Sequence, residues 1–354
     1  MSRPKCVITA TVVEPYITRI EEICDVTVCG WVETGTFMND GDMIKTLQGA
    51  EILITEFEKI HANIIEACPD LKMVACLRGN PVNIDVPACT KRGIPVVFTP
   101  GRNANSVAEY IIGAVLSLIR CIARANCEIR RGRFLGKARE NIYDTVFRED
   151  MVWSMGMPGK SPYSEYRGFE LFGKTFGMVG YGAVGRNLSV KLLAMGMNIL
   201  VYDPYIAPSD MEREGIEAVS LAEMFSRSDF VSVQCKVTEE TKNMIGEREL
   251  ALMRPSAYFI NTSRAVVVDQ RALVEALANK KIAGAVLDVF WEEPMPSNHP
   301  LLFMDNVLIT PHIAGASDDV SVQQSIMIAE DVGRFVNKQR PLRVFNPAVY
   351  DFIE

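Results

Sequence analysis

The sequence has little that would place the chain in a membrane or on a nucleic acid. It contains no run of about 18 apolar residues, the length that a helix needs to cross a bilayer. Its opening residues, Met-Ser-Arg-Pro-Lys-Cys-Val-Ile, lack the long apolar core of a secretory signal. The net charge is −7, so there is no basic excess for binding phosphate backbones. We therefore expect neither a membrane nor a nucleic-acid partner.

Cysteine and histidine also lack the arrangements that bind metals or form disulfide frameworks. The nine cysteines include no Cys-x-x-Cys pair and no Cys/His spacing of a zinc site. An odd number of cysteines in apolar segments predicts reduced thiols, no bound metal and a cytoplasmic location. Only three histidines occur, His61, His299 and His312, so acid–base chemistry near neutral pH has few candidates.

The apolar content is sufficient for about two domains. The chain has 354 residues, of which 48% are hydrophobic and 23% charged. Residues 6–104 alternate short apolar strands with helices, which is typical of a parallel sheet covered by helices on both faces. This half has no glycine-rich phosphate motif, and we interpret residues 1–103, completed by 320–354, as a flavodoxin-like substrate domain. Residues 104–319 form the predicted cofactor domain.

A glycine motif organises this second domain. The segment from Lys174 to Arg186 predicts a strand, the pattern Gly-x-Gly-x-x-Gly at 180–185, and a helix. In dinucleotide-binding domains such glycines permit a tight turn, close approach of a pyrophosphate and packing of the helix, whose N-terminus attracts phosphate. The next predicted strand ends in Asp203, about 18 residues after the last glycine, where a ribose-binding acid is expected. Glycines needed only for packing are the alternative, and they would not require this acid.

Asp203 also predicts NAD rather than NADP as the cofactor. A carboxylate at this position can accept hydrogen bonds from both ribose hydroxyls and repels a 2′-phosphate. Residues 204–207 contain no arginine to offset that repulsion.

Three further residues stand at or just beyond predicted strand ends. Arg264 follows a run that ends in Asn-Thr-Ser, Glu293 follows Asp-Val-Phe-Trp-Glu, and His312 follows Ile-Thr-Pro. A parallel sheet places its carboxyl strand ends at one edge, the edge of the glycine loop. These three side chains are therefore expected to converge near a nicotinamide ring.

This trio suits the reduction of a 2-keto acid. His312 can donate a proton near neutral pH, and a glutamate beside it, Glu293, stabilises the imidazolium. Arg264 offers a permanent, bidentate cation for the carboxylate and the developing oxyanion. His61, in an apparent amphipathic helix, and His299, in a polar loop, are interpreted as structural or solvated. Taken alone, His312 would be open to the same interpretation.

Two loops have open interpretations. After a strand at 73–77 comes Arg78-Gly-Asn, where backbone N–H groups could face a substrate carboxylate, although a plain surface turn is equally consistent. Residues 124–170 are polar and too long for an ordinary connection, so they predict an arm that embraces a partner, a lid or a solvated loop. The long apolar helix predicted at 105–123, followed by this segment, favours a homodimer or homotetramer.

In combination, four motifs resemble those of the D-isomer-specific 2-hydroxyacid dehydrogenases, with the phosphoglycerate dehydrogenase-like branch as the nearest. The motifs are Gly180-Tyr-Gly-Ala-Val-Gly185 with Asp203-Pro204, Asn261-Thr-Ser-Arg264-Ala265, Asp288-Val-Phe-Trp-Glu-Glu293-Pro294 and Thr310-Pro-His312-Ile-Ala-Gly315. The similarity covers the chain except for about residues 135–168. The chain departs from the family's pattern at Ala265, where glycine is common, and at Asn80-Pro81, which leaves the identity of the substrate open.

The resemblance implies two doubly wound parallel-sheet domains around a cleft, with a Rossmann domain that binds NAD. It implies that His312 is the acid/base, Glu293 its partner and Arg264 the substrate binder. The candidate cofactor contacts are Gly180, Tyr181, Gly182, Ala183, Val184, Gly185, Asp203, Thr262, Arg264, Asp288 and His312. The candidate substrate contacts are Arg78, Gly79, Asn80, Arg264 and His312.

We therefore predict an NAD-dependent enzyme that interconverts a D-2-hydroxy acid and its 2-keto acid. One alternative is a dinucleotide-sensing, corepressor-like binding protein on the same scaffold, and another is an assembly protein that acts through the 124–170 arm. The intact trio of Arg264, Glu293 and His312 favours the enzyme.

Overall fold

The computed structural model describes residues 3–136, 138, 140–143 and 161–352. The chain divides into two compact units, Met1–Ser106 with Ala316–Glu354, and Val107–Gly315. Each unit contains one parallel β-sheet flanked by helices, which confirms the predicted α/β class. Part of the predicted 124–170 arm, residues 137, 139 and 144–160, lies outside the described residues.

The first unit contains a five-stranded parallel sheet in the order β2-β1-β3-β4-β5, which is the order of a flavodoxin-like domain, the type that the sequence predicts. Its strands are β1 Lys5–Thr9, β2 Asp25–Val28, β3 Ile52–Thr55, β4 Met73–Cys76 and β5 Val96–Phe98. Its first helices are α1 Tyr16–Glu21, α2 Trp31–Thr34, α3 Asp40–Thr46, α4 Ala62–Ala67 and α5 Val86–Lys91. The C-terminal helix, Asp318–Val336, also belongs to this unit.

Both faces of this sheet are buried. Successive residues of β1 point to opposite faces, so that Cys6 and Ile8 join one cluster and Val7 joins the other. The first cluster includes Ile328 of the C-terminal helix. The segment after the C-terminal helix pairs with β5. Val344 forms an antiparallel bridge with Val97, and the Phe345 nitrogen donates to the Val96 carbonyl at 2.8 Å.

The second unit contains a seven-stranded parallel sheet in the order β12-β11-β10-β9-β6-β7-β8, the strand order of a Rossmann domain. Its strands are β6 Thr175–Val179, β7 Asn198–Tyr202, β8 Glu217–Ala218, β9 Phe230–Val233, β10 Tyr258–Asn261, β11 Gly284–Leu287 and β12 Val307–Ile309. The helices up to β12 are α6 Ala104–Ile119, α7 Ile122–Arg130, α8 Pro162–Glu165, α9 Ala183–Ala194, α10 Pro208–Arg213, α11 Leu221–Arg227, α12 Glu247–Leu250 and α13 Gln270–Ala278. Short 3-10 turns occur at Ala265–Val267, Pro300–Phe303 and Pro347–Phe352.

The single helix predicted at 105–123 is wrong at its C-terminal end. Helix α6 stops at Ile119, and α7 begins at Ile122 after a bend of 61°. Cys121 has a φ of 53°, a left-handed conformation that interrupts the helix between them. In the part of the chain that the structure describes, no single helix is long and apolar enough to cross a membrane, although α6 and α7 pass that test together. The apolar face of α6 is buried against the second sheet.

Candidate active site

The glycine motif lies between β6 and α9. Gly180 has a φ of 97°, and a Cβ at this position would lie 2.9 Å from the backbone nitrogen of Cys235, so only glycine fits. Gly182 faces open space and is the N-cap of α9, with no capping side chain. The N-terminus of α9 therefore offers backbone N–H groups to an anion such as a pyrophosphate.

Asp203 follows β7 and holds the glycine motif in place. Its Oδ2 accepts a hydrogen bond from the backbone nitrogen of Tyr181 at 2.8 Å, and its Oδ1 accepts one from Tyr205 at 2.9 Å. A carboxylate has about four acceptor positions, so these two bonds fix its orientation and leave capacity for ribose hydroxyls.

The Tyr181 side chain supports the motif from within the core. It is fully buried, and its hydroxyl donates to Glu214 at 2.5 Å and lies 3.1 Å from the Ser189 oxygen. Burial, together with donation to Glu214, raises the pKa of Tyr181 to about 12, so the hydroxyl stays protonated. Arg186 packs over the ring, 4.7 Å from its centroid, and pairs with Glu214.

His312 and Glu293 form a hydrogen-bonded pair. The His312 Nδ1 lies 2.8 Å from the Glu293 Oε2, and the Glu293 Oε1 accepts from the backbone nitrogen of Phe290 at 3.0 Å. The side chains are 44% and 38% exposed, so a substrate can reach them. Partial burial raises the pKa of Glu293, but the hydrogen bonds from His312 and Phe290, with the charge of Arg264, lower that pKa below its usual range overall. The pair therefore has an ionised carboxylate that orients the imidazole.

Asp288 positions the loop that carries His312. Its buried carboxylate accepts from the Thr310 hydroxyl at 2.5 Å and from the backbone nitrogens of Ile313 and Ala314 at 2.8 and 2.7 Å. Between these anchors, His312 has a φ of 56°, a left-handed conformation that few non-glycine residues adopt. The hydrogen bonds to Asp288 therefore hold the backbone in the conformation that presents the imidazole.

Arg264 and Thr262 follow the end of β10. The Arg264 side chain is exposed, its Nη1 donates to the Ser263 carbonyl at 2.7 Å, and its charge contributes to the lowered pKa of Glu293. The side-chain amide of Asn261 donates to the Arg264 carbonyl at 3.1 Å and shapes this turn. The buried Thr262 hydroxyl has no hydrogen-bond partner within the described ranges. An unsatisfied buried hydroxyl, the free helix N-terminus and Asp203 together fit a bound dinucleotide.

The predicted substrate loop lies in the first unit, directly after β4. Arg78 is half-buried, with its guanidinium 5.5 Å from the centroid of the Phe57 ring. Gly79 and Asn80 are exposed. The loop therefore lies at the carboxyl edge of the first sheet, and its contact with substrate stays a prediction.

The structure thus brings Arg264, Glu293 and His312 together in the second unit. The other histidines have structural partners: His61 lies 3.2 Å from Asp40, and His299 caps a 3-10 turn. Sequence reasoning missed Tyr110, whose hydroxyl contacts that of Thr310. Tyr110 lies on α6, far from the site in sequence, and no motif marks it. Thr310 itself lies within the motif that contains His312. Its hydroxyl, which needs a hydrogen-bond partner, is the one sequence signal that points to this contact.

The fold and the glycine loop define the second unit as a dinucleotide-binding Rossmann domain. Residues 112–314 match the family model described as "D-isomer specific 2-hydroxyacid dehydrogenase, NAD binding domain". The chain belongs to the D-isomer-specific 2-hydroxyacid dehydrogenase family. This match confirms the predicted family and NAD as the cofactor.

Relatives cover nearly the whole chain. A putative 2-hydroxyacid dehydrogenase, YoaD of Bacillus subtilis (strain 168), is 38% identical over 328 residues, which cover 90% of this chain and 88% of the relative. A glyoxylate reductase of Thermofilum pendens is 34% identical over 355 residues, which cover 99% and 96%. The crystal structure of the TT0316 protein from Thermus thermophilus is similar with a TM-score of 0.74 and 27% identity, covering 96% of this chain and 99% of that one. Other relatives are named D-3-phosphoglycerate dehydrogenase, so the predicted branch is not distinguished from the rest of the family.

Proposed function

We propose that the protein catalyses the NAD-dependent interconversion of a D-2-hydroxy acid and its 2-keto acid. The observation that carries this proposal is the hydrogen-bonded pair of His312 and Glu293, which lies beside Arg264 in a unit with a dinucleotide-binding glycine loop. A proton donor, a carboxylate partner and a fixed cation are the groups that carbonyl reduction by hydride transfer requires from the protein.

Each residue then has one role. The bound nicotinamide cofactor supplies or accepts the hydride. His312 donates the proton to the carbonyl oxygen in reduction and removes it in oxidation. Glu293 stabilises the imidazolium, and Arg264 binds the substrate carboxylate with its planar fork. We further propose that the loop from Arg78 to Asn80 binds the substrate carboxylate through its backbone.

The direct test is to follow NADH absorbance with a panel of 2-keto acids. We expect turnover in the parent, and we expect His312→Asn to lower kcat by about 10²–10⁴-fold with little change in NADH affinity, because proton transfer is lost and the cofactor loop is intact. His299→Asn is the matched control and should retain parental activity. Absence of turnover with every acid, with NADH still bound, would favour a dinucleotide-sensing protein instead.

Arg264→Lys tests the substrate-binding role separately. Lysine keeps the charge but loses the bidentate fork, so we expect a higher KM for the keto acid together with a lower kcat. Parental kinetics in this variant would remove Arg264 from the site.

A further inference from the structure

A cavity of about 540 Å³ opens beside the pair of His312 and Glu293. All of its lining residues belong to the second unit. Apart from the pair and Thr310, its wall consists of apolar side chains: Phe290, Pro294, Met295, Leu302, Ile309 and Pro311. A volume of this size is in the range of roughly 300–1,000 Å³ that small-molecule sites occupy.

The polar groups on this wall are already engaged within the protein. The Glu293 carboxylate accepts from His312 and from the backbone of Phe290, and the Thr310 hydroxyl donates to Asp288. In the described part of the chain, the second ring nitrogen of His312 has no hydrogen-bond partner. The cavity therefore presents an apolar wall and one free acid/base atom.

We propose that this cavity receives the side chain of the substrate, and that the preferred substrates are 2-hydroxy and 2-keto acids with an apolar side chain of several carbons. This inference rests on the function proposed above. Burying an apolar group against this wall is favourable because it removes apolar surface from water. A phosphate or second carboxylate would instead lose hydration and lie beside the negative charge of Glu293, which is unfavourable. Because Leu302 is 42% exposed, the cavity is open to solvent and a ligand can enter it.

The test measures turnover with NADH along a series of 2-keto acids of increasing side-chain length: glyoxylate, 2-oxobutanoate, 2-oxopentanoate and 4-methyl-2-oxopentanoate. The substrate 3-phosphohydroxypyruvate is added as the comparison with an anionic side chain. We expect kcat/KM to rise roughly fourfold with each added methylene, and the phosphorylated acid to be the poorest of the larger substrates. Turnover of glyoxylate with no gain along the series, or with a preference for the phosphorylated acid, would overturn this inference and leave the proposed function standing. No turnover of any acid would overturn both.

Leu302→Ser tests the wall itself. It should lower the ratio of kcat/KM for 4-methyl-2-oxopentanoate to that for glyoxylate by about tenfold, because a serine removes most of the apolar contact at that position. Phe303→Ser is the matched control, since Phe303 is the next residue, is 76% exposed and does not line the cavity. An equal effect of the two substitutions on this ratio would contradict the assignment of the cavity.

Discussion

The imidazole of His312 is hydrogen-bonded to the carboxylate of Glu293, and the charge of that carboxylate should be visible in the pH dependence of the reaction. Glu293→Gln keeps a hydrogen-bond acceptor but removes the charge that stabilises the imidazolium. The limb of the pH–rate profile for reduction that requires the protonated acid should therefore move to lower pH. Profiles of kcat/KM in parent and variant would measure this shift.

The pH range in which the two profiles differ is set by the ionisation of Glu293. Because the pKa of Glu293 is below its usual range, the parent keeps this charge at neutral pH and through mild acid, and loses it only as the pH falls through the lowered value. The two profiles should therefore differ in the neutral range and converge in strong acid. Glu292→Gln, at the neighbouring exposed glutamate, is the control. Identical profiles for Glu293→Gln and the parent would mean that the pair is not coupled.

Removing the Asp203 carboxylate should have two effects, which two separate kinetic measurements report. Asp203→Ala removes the charge that disfavours a 2′-phosphate, so the preference for NADH over NADPH in kcat/KM should fall by about tenfold or more. It also removes the bond to the Tyr181 nitrogen, so the KM for NADH should rise. Asp210→Ala, at a half-exposed acid of α10 that pairs with Arg213, is the control. A parent that favours NADPH would refute the prediction at the outset.

For single residues, the sequence predicts site side chains that belong to recognisable motifs. It misses contacts between residues that are close only in the folded structure. Glu293 and His312 stand at strand ends, and a parallel sheet brings such ends to one edge. The pair was therefore predictable. The contact from Tyr110 to Thr310 joins α6 to the His312 loop across the domain, and no spacing rule encodes it.

Among the elements, the strands were more predictable than the helices. Short apolar runs such as Phe230–Val233 predict strands of a parallel sheet, and this strand is indeed buried on both faces. Helix α5 is harder to predict because it has only six residues, although Pro87 in its first turn is typical of a helix start. The break after α6 was missed because neither glycine nor proline marks it, and Cys121 adopts its left-handed conformation in the tertiary context.

An ion network joins α7 to α8. The Glu128 carboxylate accepts from the Arg124 Nε at 2.8 Å and from the Tyr166 hydroxyl at 2.7 Å, and it also pairs with Arg133. Arg133 extends the network to Glu165 at 2.6 Å. The hydrogen bond from Arg124, followed by that from Tyr166, lowers the pKa of Glu128 to about 2.

Glu128→Gln should therefore lower the melting temperature of the protein slightly at neutral pH, because ion pairs near the surface contribute little to stability. The folded carboxyl has a lowered pKa, so its stabilising effect is complete above the unfolded value of about 4.3 and is lost as the pH falls toward about 2. The difference between parent and variant in thermal unfolding should narrow over that window. Glu212→Gln, at an exposed position of α10, should show neither effect. A constant difference at every pH would rule out the network as its origin.

For the whole molecule, we predict a homodimer or larger assembly. Apolar side chains are exposed on and after α7: Ile122, Ile129, Leu135, Ile142 and Tyr143. Exposed apolar groups concentrated in one stretch of chain are typical of an interface. Light scattering at micromolar concentration should give at least twice the mass of the chain, and Ile129→Glu should reduce that mass. Val190→Glu, on an exposed position of α9, should not. A fully active monomer would refute the prediction.

The left-handed backbone at His312 implies a trade-off between activity and thermal stability. The backbone of His312 has a φ of 56°. Asparagine adopts this left-handed region with less strain than histidine does. The inactive variant His312→Asn should consequently unfold at the same temperature as the parent or a higher one, since the hydrogen bonds of Asp288 to the loop are made by the backbone of its neighbours. A clearly lower melting temperature would show that the imidazole stabilises the fold. An inactive variant that unfolds at a higher temperature than the parent would mean that this residue was selected for catalysis at the expense of stability.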